Sequence, residues 1–168
     1  MIDLPHWQAG RMSAATQHRV RQQAAALCLG HTTPAQLNGL DSAQLAAAYE
    51  RGHAAWLQGD LDSACMEFAW LVMQQPFNPQ YHLALSATLQ ANAQAMLALS
   101  FCHYAHALQP DDPHAIWQIA TCLAQLHDLD AARAALQDVL CLCEGRRGNE
   151  GYPELAQQAR AKLQTLHY

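Results

Sequence analysis

Two cysteine-bearing segments are the places in this sequence where reactive chemistry would first be sought. Cys102-His103-x-x-His106 puts a thiol and an imidazole four residues apart, on one face of a helix, with a second imidazole beside them. Thiolate and imidazole groups so spaced are zinc ligands. Cys141-x-Cys143 offers two more thiols, but on a helix their side chains point apart, unlike those of a metal knuckle. Carboxylates pair at Asp60/Asp62 and at Asp111-Asp112. No Ser/His/Asp order, phosphate-cradling glycine loop or acid–base carboxylate pair stands out, and the ten histidines are dispersed.

The elements that carry these residues decide between chemistry and packing. The chain has 33 alanines, 24 leucines and 19 glutamines, but only six valines and isoleucines together. Good helix formers abound and the β-branched residues that favour strands are scarce, which excludes sandwiches, barrels and parallel sheets. Hydrophobic residues at 51 % argue against disorder. A net charge of −5, with one lysine and no basic stripe, makes nucleic acid a poor partner. Apolar stretches are broken well before 18 residues, so no membrane insertion is expected. Residues 1–10 lack a basic start and an apolar run, so they are not read as a signal peptide. The six cysteines are expected to be reduced.

Shifting the sequence against itself by 34 residues aligns Ala64, Ala98 and Ala132, then Phe68, Cys102 and Leu136. Pro76 meets Pro110, Leu85 meets Ile119, and Leu89 meets Leu123. Three ungapped units result, at 45–78, 79–112 and 113–146. Each reads as two amphipathic helices joined by a tight turn. In the first unit a helix over 45–58 is followed by Gly59 as a C-cap, and a second helix runs from Asp60 to about Gln75. Small residues such as Gly52, Ser86 and Ala120 stand where paired helices must approach closely. The pattern resembles the tetratricopeptide repeat. Ala93 stands where the turn glycine is usual, and His127-Asp128 occupies the third turn. Cys102 therefore belongs to a core column and reads as packing. The aspartates read as helix caps. No metal, cofactor or catalytic residue is expected, and the protein is not expected to be an enzyme.

The expected fold is all-α, a solenoid of three helix pairs with an N-terminal helical extension (1–44) and a C-terminal capping helix (147–168). Ser13 to Leu29 is helical in pattern. Thr33-Pro34 opens a short helix, Asp41 or Ser42 caps the first repeat helix, 146–151 is a polar glycine-rich loop, and 153–166 closes the stack. The first helix of each pair lines the concave side. Its second, fifth, ninth and twelfth positions include Tyr49, His53 and Trp56, then Gln80, Leu83, Ala87 and Gln90, then His114, Trp117 and Thr121. This set is aromatic, small and polar, without the Lys, Arg and Asn of a carboxylate clamp. It suits an extended apolar peptide.

The segment 33–143 resembles the class II chaperones of bacterial type III secretion, tetratricopeptide proteins that hold hydrophobic translocators before export. Thr33, Leu37 and Gly39-Leu40 precede the repeats. Then come Leu45-x-x-x-Tyr49, Trp56-x-x-Gly59-x-x-x-x-Ala64-x-x-x-Phe68, Tyr81-x-Leu83-x-Leu85-x-Ala87, and Ala120, Cys122 and Leu123. Trp56 replaces a more usual tyrosine and His53 a usual aromatic. The resemblance implies a cytoplasmic virulence factor whose groove residues are Tyr49, His53, Trp56, Leu83, Ala87, Gln90, Trp117 and Thr121. Their partner would be a hydrophobic translocator, kept soluble and unassembled. It also implies a homodimer through the apolar stripe of Ala24, Ala25, Leu27 and Leu29, which could instead pack on the first repeat. A generic tetratricopeptide adaptor shares the groove but not the segment 33–42. Needle-subunit chaperones are shorter and lack the N-terminal extension.

Overall fold

The computed structural model describes residues 13–144 and 152–166. Among them are nine helices and no strand: α1 (Ala14–Cys28), α2 (Pro34–Leu37), α3 (Ser42–Leu57), α4 (Leu61–Gln74), α5 (Pro79–Ala91), α6 (Ala95–Leu108), α7 (Pro113–Gln125), α8 (Leu129–Glu144) and α9 (Pro153–Thr165). Residues 1–10 and the 146–151 loop lie outside the described residues.

The caps that start these helices were legible. Thr33 caps α2 in a capping box with Gln36, and Pro34 stands at the first helical position. Asp41 does the same for α3 with Gln44. That box starts α3 at Ser42, three residues before the hydrophobic periodicity begins. Asp60 caps α4 by accepting from the Ser63 N–H at 3.1 Å. Asn78 and Asp112, one repeat apart, cap α5 and α7 through the N–H groups of Gln80 and His114, and a proline follows each cap.

The turn inside each pair is the same structure three times. Asp60 N–H reaches the Ala55 carbonyl at 3.0 Å, Gln94 that of Leu89 at 2.9 Å, and Asp128 that of Leu123 at 3.0 Å. These are the closing bonds of a Schellman motif, which needs a left-handed residue just before them. Gly59 supplies it at φ 78°, whereas Ala93 and His127 adopt it at φ 57° and 62°. The repeat geometry therefore overrides the side-chain penalty at two of three turns.

The helix pairs α3/α4, α5/α6 and α7/α8 pack internally, each second helix packs on the next pair, and α9 covers α8. α5 also touches α7, so first helices share one side. The columns of small residues set the separation. Ala48, Ala64, Ala98, Ala120 and Ala132 are fully buried. At Gly52 a Cβ would lie 2.9 Å from the Phe68 ring, so only hydrogen fits there. Cys102 is buried in its core column, 2.6 Å from Ser86 Oγ, and its hydrogen bond to Cys122 together with burial pushes its thiol pKa up. Cys141 is exposed and Cys143 buried, as opposite faces require. His82 is buried too, its Nε2–H donating to the Pro76 carbonyl at 2.7 Å. The last pair is closed by Leu155, Ala156 and Ala159 of α9, and by Arg133, whose guanidinium donates to the Leu166 carbonyl. α1 differs from the rest: none of its residues is fully buried, and of its apolar stripe only Leu27 is half-buried.

Two substitutions test this account. Gly52→Ala must push Phe68 aside and should destabilise the chain by roughly 1–3 kcal/mol. Ala93→Gly relieves a left-handed penalty of roughly 1–2 kcal/mol and adds roughly 0.5–1 kcal/mol of unfolded-chain freedom. It should raise the melting temperature by up to about 2–4 °C in a calorimetric scan. No rise would mean that Ala93 is not strained.

Candidate functional site

The side formed by α3, α5 and α7 carries two joined depressions. The first is built on α3. Tyr49 is half-buried, and its ring packs against Phe68 (centroids 5.5 Å, 60°) and Tyr81 (6.1 Å, 34°). One turn on, His53 stacks with Trp56 at 6.4 Å and 23°. Trp56 remains 41 % exposed. With Ala84, Ala87 and Thr88 of α5 they wall a slot of about 170 Å³. At about 30 Å³ per water this is room for about five or six waters, the size of one large apolar side chain.

The second depression, of about 440 Å³, shares Tyr49, Ala84 and Ala87 with the slot and adds Leu83. Its far wall is polar. Gln80, Gln109 and Gln118 line it, followed by Asp112, His114 and Tyr152. No lysine or arginine is among the described residues lining either depression. Asp112 is buried, and its Oδ1 accepts from both the N–H of His114 (2.9 Å) and its Nδ1–H (3.0 Å). Hydrogen bonding to Asp112, opposed by partial burial, holds the His114 pKa above its ordinary value. Tyr152, immediately before α9, meets the His114 ring edge-on at 5.1 Å and 85°.

Five of the expected groove residues therefore come together: Tyr49, His53, Trp56, Leu83 and Ala87. Leu83 is buried, so it presents little surface. Gln90 lines a separate depression of about 670 Å³, beside the turns that follow α5 and α7. Trp117 is half-buried against the core. Thr121 is buried and donates to the Gln118 carbonyl at 2.8 Å. Sequence reasoning missed Ala84 and Gln118, although they share a repeat column directly after the expected fifth position. Asp112 was expected only as a cap, and it is also a wall. Tyr152 carried no signal, because it lies outside the repeats. Of the N-terminal stripe, Ala24 and Leu29 are exposed and Leu27 is half-buried.

No protein-family model matches the sequence, and no curated protein matches it with significance. Solved structures do. A type III secretion complex from Aeromonas hydrophila is 25 % identical with a TM-score of 0.78, over 87 % of this chain and 95 % of that one. PcrH of Pseudomonas aeruginosa, in complex with the chaperone-binding region of PopD, is 26 % identical with a TM-score of 0.70, over 77 % and 95 %. The chain has the fold of type III secretion translocator chaperones. Yersinia enterocolitica SycD, a protein of that description, is 24 % identical with a TM-score of 0.73, over 79 % and 97 %. SycD is also known with a peptide of the translocator YopD and as an alternative dimer. A tetratricopeptide domain of Spaghetti bound to an Hsp90 peptide shares the fold at 21 % identity and a TM-score of 0.64.

The Asp112–His114 pair is open to direct measurement. Because its folded pKa is raised, His114 adds stability below its unfolded pKa of about 6.5, and that stability is lost as pH rises through the folded value. An NMR titration should place His114 above the ordinary histidine value, and Asp112→Asn should return it to the ordinary range. An unchanged titration in the variant would remove Asp112 as the cause.

Proposed function

We propose that this chain is a bacterial chaperone that holds an extended segment of a hydrophobic type III secretion translocator in its concave groove, keeping the client soluble and unassembled until export. The observation that carries this reading is the continuous groove in which Tyr49 joins an apolar slot to a wider depression. A slot the size of one side chain, opening into a longer channel, fits an extended chain better than a small compact ligand. PcrH with its PopD region and SycD with its YopD peptide, both of this fold, support the same use.

The work is binding and not catalysis. The groove walls are aromatic, aliphatic and amide groups, and the Asp112 carboxylate already caps a helix and holds His114. The three repeats, described over 45–144, form the binding body, and α9 covers its end. Trp117 and Thr121 back the groove from α7, half-buried and buried respectively, and Gln90 lines the separate depression beside the turns. A protein that guards a client before export works in the bacterial cytoplasm, and no described helix is long and apolar enough to cross a membrane. The stripe of Ala24, Leu27 and Leu29 at the end of α1, half-covered only at Leu27, is the surface through which two copies would pair. A 15-residue helix with no fully buried side chain is marginal alone and gains stability from such a partner.

Trp56→Ala tests the groove without touching the core. Trp56 is 41 % exposed and is not one of the buried core residues, so the melting temperature should fall by no more than about 2–4 °C. Loss of one apolar anchor, worth roughly 1.5–3 kcal/mol, should weaken binding of the co-expressed translocator about 10- to 100-fold in calorimetry. Undiminished capture by the variant would place the client elsewhere.

A further inference from the structure

The two ends of the groove differ in chemistry. The slot around Trp56 is apolar, whereas the opposite wall gathers the amides of Gln80, Gln109 and Gln118, the imidazole of His114 and the phenol of Tyr152. Building on the chaperone reading, we propose that Tyr152 is a specificity-determining residue, making this end select an uncharged, hydrogen-bonding residue of the bound segment while the slot takes an aliphatic one.

Three observations carry the assignment. Tyr152 is fixed and not incidental. Pro153 follows it at the first position of α9, a helix seated by three buried side chains and tied to Arg133 through the Leu166 carbonyl. Tyr152 is also half-buried against the core and braced by the ring of His114. Secondly, it shares one depression with Tyr49, so the C-terminal helix supplies a wall of the groove as well as a cap for the stack. Thirdly, the groups around it sort ligands by charge. Amides and a phenol both donate and accept hydrogen bonds. The Asp112 carboxylate is already engaged by the cap and by His114, so it offers a basic residue little, and it repels an acidic one. An apolar residue here would leave desolvated amides without partners. A neutral polar side chain satisfies them.

The test uses phage-displayed random 12-residue peptides selected on the full chain, on Tyr152→Phe and on Tyr152→Leu. Tyr152→Phe removes the hydroxyl and keeps the ring, Tyr152→Leu removes the ring as well, and melting curves check the fold. Wild type should enrich an aliphatic residue and, at fixed spacing, a neutral hydrogen-bonding residue. Both variants should keep the aliphatic preference, lose the polar one, and bind the wild-type-selected peptide about tenfold more weakly. Replacing the peptide's polar residue by alanine should then weaken wild type but not the variants. Selection of the same motif by both variants, or equal losses in this cycle, would overturn the role of Tyr152. A wild-type selection without any shared motif would instead overturn the groove reading on which it rests.

Discussion

The contact of α3 with α4 at Gly52, which faces the Phe68 ring, is the one on which the rest of the binding side depends. With no Cβ at Gly52, the Phe68 ring sits close against α3 and within reach of Tyr49. Tyr49 is thereby held between Phe68 and Tyr81, bridging the first and second repeats. The slot needs this chain of contacts, since its floor is Phe68 and its shared wall is Tyr49. A bulkier residue at 52 would separate the helices and lower the floor at once. The later pairs solve the same problem with Ser86/Cys102 and Ala120/Leu136, whose smaller partners leave no aromatic floor. The slot with the Phe68 floor therefore belongs to the first repeat, although all three repeats share a backbone plan.

Much of the fold was legible because its signals are local. Caps, prolines at first helical positions and small-residue columns all act within one or two turns, and the 34-residue register repeats them. The left-handed turns at Ala93 and His127 show a different logic. Nothing about those residues asks for positive φ, yet the Schellman closure on either side imposes it. Register predicted the conformation where propensity would have denied it. The site was legible only as far as the register reached. Tyr49, His53, Trp56, Leu83 and Ala87 gather because repeat positions do. Gln118 and Ala84 were missed because they stand one position past the expected column, where both are half-buried and still line the wider depression. Trp117 and Thr121 obey the column but lie where the core half-covers one and buries the other.

The ends of the stack follow neither rule. α9 closes the last pair through buried leucine and alanine, as a cap should, but its leading residue turns back into the groove. That placement depends on the path of the chain after α8, which no periodicity encodes. α1 is the opposite case: its helix is well signalled, with Ser13 as its cap, but none of its residues is fully buried. A cap and a helical pattern specify that a helix forms; they do not specify what covers it.

A chaperone that must release its client cannot hold it too tightly, and the groove's composition bears on this. One apolar anchor contributes roughly 1.5–3 kcal/mol, and each neutral hydrogen bond adds roughly 0.5–1.5 kcal/mol net. Ordering an extended segment opposes these gains by several kcal/mol. Charge pairs across the groove would add strength and also slow release through desolvated partners. The lining has no lysine or arginine, and its carboxylate is internally committed. Neutrality of the groove is therefore a functional property: it keeps binding insensitive to salt and leaves dissociation governed by one slot and a few amides.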